Sequence, residues 1–321
     1  MPLVSVVIPT RGRPVLLARA IATVLEQTIA DIEVIAVVDG EDPDTVARLS
    51  AILDARLRFH VNPASLGAGV ARNVGAGLAT GRWIAFLDDD DEWLPTKLER
   101  QLALPLPSSG RVIISCQSAY VTPRGTSVRP RAIFDNRMPI DEWLFDRRQM
   151  FGGQSFIQTS SLLMPRALFE ERNFPAHGQH EDWEFVIDAV KRLQIDLITV
   201  PEILVRHYAE EQRNSLSSGG RLEGSLNWIN RMRGLVSKRA YSGFCLTVIA
   251  HQARRDGGWR AFGTLLKLAF RHGRPTAVQL AVFLTVWAMP PGLHAALRRL
   301  RPPVAAAPQD AVSSAQGQLA S

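Results

Sequence analysis

Apolar positions in the first hundred residues fall alternately into short continuous runs and into three-and-four spacing. Val4-Ser-Val-Val-Ile8 is a β-branched run closed by Pro9, and it reads as a strand. Pro14 sits where a first helical turn tolerates proline, and Leu16, Leu17, Ala20, Ile21, Val24 and Leu25 follow at helical spacing. Ile32–Val38 is a second apolar run ending at Asp39-Gly40, Thr45–Leu53 predicts a helix, and Leu57–Val61 a third strand. Ala68–Ala79 predicts a glycine-tolerant helix. Trp83–Leu87 is a fourth run, ending at Asp88-Asp-Asp-Asp91, with Glu92-Trp93-Leu94-Pro95 opening a further helix. Runs without internal alternation, separated by helices, predict an α/β fold whose mostly parallel sheet carries helices on both faces. Ligands bind such sheets beyond the carboxyl ends of the strands, where Thr10, Asp39 and Asp88 fall.

After residue 110 the pattern loosens. Val112–Ile114 and Ser161–Met164 read as strands, 181–193 as a helix striped by Trp183, Val186, Ile187, Val190 and Leu193, and Leu197–Val200 and Ile203–Val205 as two short strands. Glu210–Gly220 is polar and rich in Ser and Gly, the composition of a mobile loop. From about residue 225 the chain is helical, and Pro302–Ser321 has the composition of a disordered tail.

Charge divides the 321 residues unevenly. The net +6 conceals a segment, 231–301, with 13 Lys/Arg against one acid, Asp256, while the remainder has more acids than bases. Such asymmetry points to a polyanion met by one part of the chain. Two cysteines exclude a disulfide framework or a cysteine-based zinc site, and the start has neither a basic stretch nor a cleavage site of a signal peptide, so the expectation is a cytoplasmic protein.

The strongest chemical signal is the run Asp88, Asp89, Asp90, Asp91 after a buried strand. Adjacent carboxylates repel, and hard Mg²⁺ or Mn²⁺ takes oxygen ligands shared with substrate phosphates; the bland alternative is a solvated acidic turn. Asp39 can accept from a base N–H or a ribose hydroxyl, or simply form a turn with Gly40. The glycines of Ser65–Gly77 match neither the dinucleotide fingerprint nor the Walker pattern, and are better read as letting a helix approach the sheet, with Arg72 facing the cleft. In His180-Glu-Asp-Trp-Glu184 a first-turn carboxylate is favoured as an anion by the helix dipole, which suits either a base or an ordinary helix start. His207 is a metal ligand, a phosphate contact or a structural histidine, and Arg206, Arg213, Ser215 and Ser217 fit a lid over a diphosphate.

These pieces in this order resemble the family 2 glycosyltransferases, which have the GT-A fold. The likeness runs over about residues 3–217, through Val4–Thr10, Asp39, Ala71-Arg-Asn73, Phe86–Trp93 with Pro95 and Lys97–Glu99, and Glu181-Asp182. It implies that Pro9, Thr10, Arg11 and Asp39 surround the nucleoside. It further implies that Asp88 and Asp89 meet the donor beside Arg72, and that Asp90, with His207, holds a divalent cation (Mn or Mg) on the diphosphate. Asp182 becomes the base of an inverting displacement. Two features depart from the family: Val38-Asp39-Gly40-Glu41-Asp42 stands where Asp-Asp-Gly-Ser is commoner, and the Gln-x-x-Arg-Trp signature of processive members is missing, which implies transfer of a single sugar.

The expected organisation is a GT-A domain over 1–217, a basic helical segment over 218–301 and a tail over 302–321. The expected partners are a nucleotide-sugar, a glycan or lipid-linked acceptor and an anionic membrane surface on the inner face of the cytoplasmic membrane, with no nucleic acid. A nucleotidyltransferase would carry a lysine in the N-terminal loop, where Arg11-Gly-Arg-Pro14 has none. A nucleic-acid-binding protein would interleave aromatics with a groove-binding motif, and neither is evident. The apolar stretch Thr276–Leu293 breaks at Pro290-Pro291, leaving interfacial, buried and membrane-spanning readings open.

Overall fold

The computed structural model describes residues 1–123, 125–150, 155–176, 179–208 and 221–288. The expected loop at 210–220, the tail and the Pro290-Pro291 break lie outside them. The first part follows the predicted alternation: β1 (Val4–Thr10), α1 (Pro14–Leu25), β2 (Ile32–Val38), α2 (Pro43–Ser50), β3 (Leu57–Val61), α3 (Ala68–Leu78) and β4 (Trp83–Phe86). There follow β5 (Asp91–Trp93), α4 (Lys97–Leu102), β6 (Val112–Thr122), β7 (Gly125–Arg129), α5 (Ile140–Phe145), β8 (Leu163–Pro165), α6 (Arg166–Glu171), α7 (Glu181–Lys191) and β9 (Asp196–Tyr208). Helices α8 (Arg221–Arg231), α9 (Lys238–Gly243), α10 (Ala250–His272) and α11 (Ala277–Ala288) complete the described residues, with a π-helical turn at Phe244–Val248.

Among the described residues the strands form one sheet in the order β3-β2-β1-β4-β8-β6-β9-β5, with β7 on β6. The α/β class holds, but parallel pairing is confined to β3-β2-β1-β4 and to β6-β9; β8, β7 and β5 pair antiparallel. Two expected elements differ. Asp91–Trp93 is a strand and no helix start, because Asp91 and Glu92 stand opposite His207 and Arg206 of β9, and helix α4 begins only at Lys97. The two short strands at 197–205 are one strand. Pro201-Glu202, which resembles a turn in sequence, is an irregularity where the register against Cys116 and Gln117 shifts.

Successive residues of β1 and β2 face opposite cores. Val6, Ile8, Val34 and Ala36 pack with Leu17, Ile21 and Val24 of α1, whereas Val7, Ile35 and Val37 pack under α3. Gly75 makes that second contact possible, since a methyl group there would overlap Val7 and come within 3.0 Å of Val37. The same core runs on through Phe185 and Phe145 to Trp228, Tyr241, Phe244 and Phe283 of the C-terminal helices. Buried carboxylates fasten those helices. Asp141 accepts from Lys191 Nζ (2.8 Å) and from the Ser237 N–H (2.6 Å), and Asp146 accepts from Gln279 Nε2 (2.8 Å).

No helix of the described residues is long and apolar enough to cross a membrane. Helix α11 turns Gln279, Val282, Phe283, Val286 and Trp287 inward. Leu265 of α10 and Trp287 of α11 are buried, and Arg254 donates inward to the Val286 carbonyl.

Candidate active site

The ends of β1, β2 and β4 deliver side chains to one cleft, as parallel strands in register must. Asp88, Asp90 and Asp91 each offer a carboxylate oxygen within 4.8 Å of the others. Asp89 does not join them. It is buried, accepts from Thr10 Oγ1 (2.7 Å) and from Arg13 Nη1 (2.9 Å), and burial pushes its pKa up against the pull of Arg13. Thr10 thus spends its hydroxyl on Asp89, and Pro9 is buried beneath it in β1. Arg13 also reaches Asp90 Oδ2 at 3.3 Å, so one guanidinium spans two of the four aspartates.

Asp91 is wholly enclosed. Its Oδ1 lies 2.9 Å from His207 Nδ1, and its Oδ2 accepts from Ser160 Oγ (2.6 Å) and from Gln158 Nε2. Ser160 Oγ also accepts the Asp88 N–H (3.0 Å), which joins the two ends of the acidic run through one hydroxyl. The structure therefore places His207 against Asp91 at the edge of the triad.

The donor set suits a hard cation: three converging carboxylates with an imidazole adjoining, the oxygen-rich environment that Mg²⁺ or Mn²⁺ takes. Gln158 supports the fit. Its Oε1 is buried with no partner among the described residues, while its amide nitrogen crowds Asp91 and lies 2.6 Å from His207 Nδ1. An amide so placed beside carboxylates leaves an acceptor to be satisfied.

Asp39 is buried at the end of β2. It accepts from Asn62 Nδ2 (3.0 Å), Ser65 Oγ (2.9 Å) and the N–H groups of Leu66 (3.0 Å) and Gly67 (2.9 Å). Burial pushes its pKa up, but the Leu66 N–H and the other donors outweigh that and hold it below the usual range. Its carboxylate thus organises the 62–67 loop that starts α3. Arg11, on the exposed side, donates to Ser65 Oγ at 2.6 Å and extends that wall.

Arg72 is the link to the other side. From within α3 its Nη2 donates to Asp88 Oδ1 (2.6 Å) and its Nη1 to Glu181 Oε2 (3.1 Å). A buried guanidinium bonded to two carboxylates fixes the first turn of α7 against the end of β4. In that turn, burial raises Glu181 to about 7, against Arg72, and raises Asp182 to about 6, against the Trp183 N–H. Asp182 Oδ1 accepts that N–H at 2.8 Å. The preceding His180 is in the left-handed region (φ 60°), stacks on Trp183 with ring centres 4.8 Å apart, and meets Ser225 Oγ of α8 at 2.9 Å. Burial lowers it to about 4, so it is neutral.

The structure thus brings Asp88, Asp90, Asp182, Arg72 and His207 to one cleft, with Arg11 and Asp39 on the wall built by the 62–67 loop. Sequence reasoning missed Arg13, Ser160 and Gln158. Arg13 had a local signal, a second arginine directly after the Pro-Thr strand end; Ser160 and Gln158 had none, since they meet Asp91 only through folding.

The model of glycosyl transferase family 2 matches residues 5–172, just over half of the chain. The amylovoran biosynthesis glycosyltransferase AmsB of Erwinia amylovora is 26% identical over 73% of this chain and 79% of its own length. The UDP-Glc:alpha-D-GlcNAc-diphosphoundecaprenol beta-1,3-glucosyltransferase WfgD of Escherichia coli is 35% identical over 33% of this chain and 42% of its own. Among solved structures, S. aureus TarS 1–349 in complex with UDP-GlcNAc shares the fold at TM-score 0.60 and 16% identity, over 90% of this chain and 91% of that one. The mannosyltransferase PcManGT of Pyrobaculum calidifontis, in complex with GDP-Man and Mn²⁺, does so at 0.51 and 19%, over 92% and 78%. A GT-A-like sheet with the acidic triad at its strand ends and a family match across that same region make this chain a member of glycosyl transferase family 2, a glycosyltransferase that takes its sugar from a nucleotide-sugar.

Proposed function

We propose that the protein transfers a single sugar, with inversion, from a nucleotide-sugar to a hydroxyl of a lipid-linked or surface-glycan precursor. It does so on the cytoplasmic side of the membrane, through a catalytic domain of residues 1–217 followed by the basic helical segment 218–301. The observation that carries this reading is Arg72, which ties the Asp88 end of the acidic run to the first turn of α7, where Asp182 sits. The names of relatives such as WfgD, whose acceptor is a diphosphoundecaprenol glycan, support the acceptor class.

In this reading Pro9, Thr10, Arg11 and the loop held by Asp39 border the nucleoside, and Asp88 and Asp89, with Arg72, set the donor's orientation. Asp90 and His207, beside Asp88 and Asp91, would hold a divalent cation, which would supply Lewis-acid stabilisation of charge on the diphosphate. Asp182 takes the proton of the acceptor hydroxyl as the new C1–O bond forms. The old C1–O bond breaks on the opposite face, and its electron pair leaves on the diphosphate. A carboxylate raised to about 6 is still ionised at neutral pH, yet closer to a hydroxyl in basicity than an ordinary aspartate. Arg72 keeps Asp88 and Glu181 from repelling Asp182 out of place.

The test is a panel of nucleotide-sugars scored for release of nucleoside diphosphate with isolated prenyl-diphosphate-linked glycans, followed by NMR assignment of the anomeric configuration. Inversion with one sugar added per acceptor is expected. Retention, or runs of added sugars, contradicts the reading.

A further inference from the structure

The backbone of α10 breaks at Gly258 (φ 54°), and the helix beyond it has three distinct faces. Ala261, Leu265 and Ala269 are buried in the core. On the outer side Trp259 (73% exposed) and Phe270 (60% exposed) line up with the half-buried Phe262 and Leu266 at i, i+3, i+7 and i+11. Beside that stripe run Arg260, Lys267 and Arg271, all exposed. Helix α11 flanks the aromatic stripe: Phe262 stacks on Phe283 with ring centres 5.0 Å apart, and Trp259 packs against Trp287 at 5.5 Å. The exposed positions of α11 are Ala277, Leu284, Thr285 and Ala288, apolar but for Thr285, whose hydroxyl donates to the Ala281 carbonyl at 2.7 Å. Residues 257–288 contain no Asp or Glu.

We infer that this face, formed by the second half of α10 and by α11, is a docking surface for an anionic lipid bilayer, lying in the plane of the interface. Charge complementarity selects this occupant. A second protein chain would need acids along one edge and a dry apolar surface along the other, and an anionic interface offers both at once. Indole and phenyl rings settle at the headgroup boundary, and each basic residue near an anionic surface strengthens partition roughly fivefold. The face lies on the surface without spanning: the 12 residues of α11 rise only about 18 Å, against the ~30 Å of a hydrocarbon core. The inference rests on the proposed function only for its purpose, which is to hold the enzyme where a lipid-linked acceptor lies.

Trp259 is the only exposed tryptophan of the seven, so fluorescence reports this face directly. The experiment mixes the full chain with vesicles of phosphatidylcholine, with and without about a third phosphatidylglycerol. It measures flotation, the tryptophan emission shift and quenching by bromine-labelled lipids. Binding to the anionic vesicles, with a blue shift and quenching, is expected. Arg260→Glu/Lys267→Glu/Arg271→Glu should weaken partition by about 100-fold or more, and Trp259→Ser should abolish the shift. No binding by the full chain, or binding unchanged in both variants, overturns the inference. So does a dimer in solution that Trp259→Ser dissolves, which would make the face a contact between copies. Shielding of Trp259 from acrylamide in lipid-free protein also overturns it, by showing that residues 289–321 cover the face. Release of nucleoside diphosphate without lipid separates the two readings: if it fails for every nucleotide-sugar while docking persists, the catalytic reading fails and the surface stands.

Discussion

Asp182→Asn keeps the shape of the side chain and its acceptor for the Trp183 N–H, and removes one charge. Burial raises Asp182 from 3.8 to about 6 in the folded protein. A carboxyl whose folded value lies above its unfolded value costs stability wherever it is ionised. The cost is absent in acid, grows as pH rises past 4, and is complete above about 6. At ~1.4 kcal/mol per pH unit the full cost is about 3 kcal/mol, and at pH 5 it is about half that. Asparagine carries no such cost. The variant should therefore be more stable than wild type by about 3 kcal/mol at pH 8 and by roughly half as much at pH 5, while transfer falls about 10²–10⁴-fold. Urea unfolding at the two pH values, beside initial rates with saturating donor, measures both. A stability gain that is absent at pH 8, or that does not shrink in acid, refutes the desolvated carboxylate. Turnover that survives in a folded variant reduces Asp182 to an ordinary first-turn residue.

For the wild type, turnover should rise with pH through about 6 to a plateau, because the base works ionised; a flat profile from pH 5 to 8 would contradict Asp182 as base. Asp90→Asn should weaken Mn²⁺ binding at least about tenfold by titration calorimetry, and a chelator should abolish turnover, whereas full activity in chelator would exclude the cation. Arg72→Lys loses the fork joining Asp88 to Glu181 and should lower turnover and raise the donor KM, with the circular dichroism unchanged; wild-type kinetics would show that the link is dispensable. Gly75→Ala should destabilise the fold by about 1–3 kcal/mol in urea by driving α3 off Val7 and Val37, and an unchanged midpoint would contradict that packing.

The half of the fold read most directly from sequence is the half built from local signals. The apolar runs at 4–8, 32–38 and 83–87 lie in strands buried on both faces, so each is continuous, and the helices between them declare themselves by spacing. The antiparallel half was less legible because its strands are short and depend on distant partners. Asp91–Trp93 is a strand only because β9 lies opposite it, and three residues carry no periodicity of their own. The site divides in the same way. The acidic run, Asp39 and the first turn of α7 stand at element ends that sequence marks. Asp89 and Thr10, expected at the donor, also bond to each other, a link invisible in sequence because the direction each of four adjacent carboxylates takes is decided by Arg13 and by the strand geometry. Gln158 and Ser160 reach Asp91 across 67 and 69 positions of chain, a distance at which residue spacing says nothing.

The left-handed His180 has a consequence for how the protein is made. Its setting comes from Ser225, 45 positions later, and from the ring of Trp228, whose Nε1 also donates to Glu184 at 3.0 Å. During synthesis every described strand has left the ribosome once Tyr208 has, yet the turn that carries Asp182 gains its contacts with Ser225 and Trp228 only when α8 has emerged and folded back. A nascent chain therefore passes through a stage with these strands complete and the turn that carries Asp182 not yet seated. The same dependence constrains grafting. A chimera that replaces the segment after Tyr208 to recruit a new acceptor also replaces the residues that seat His180, and must be expected to change kcat along with specificity.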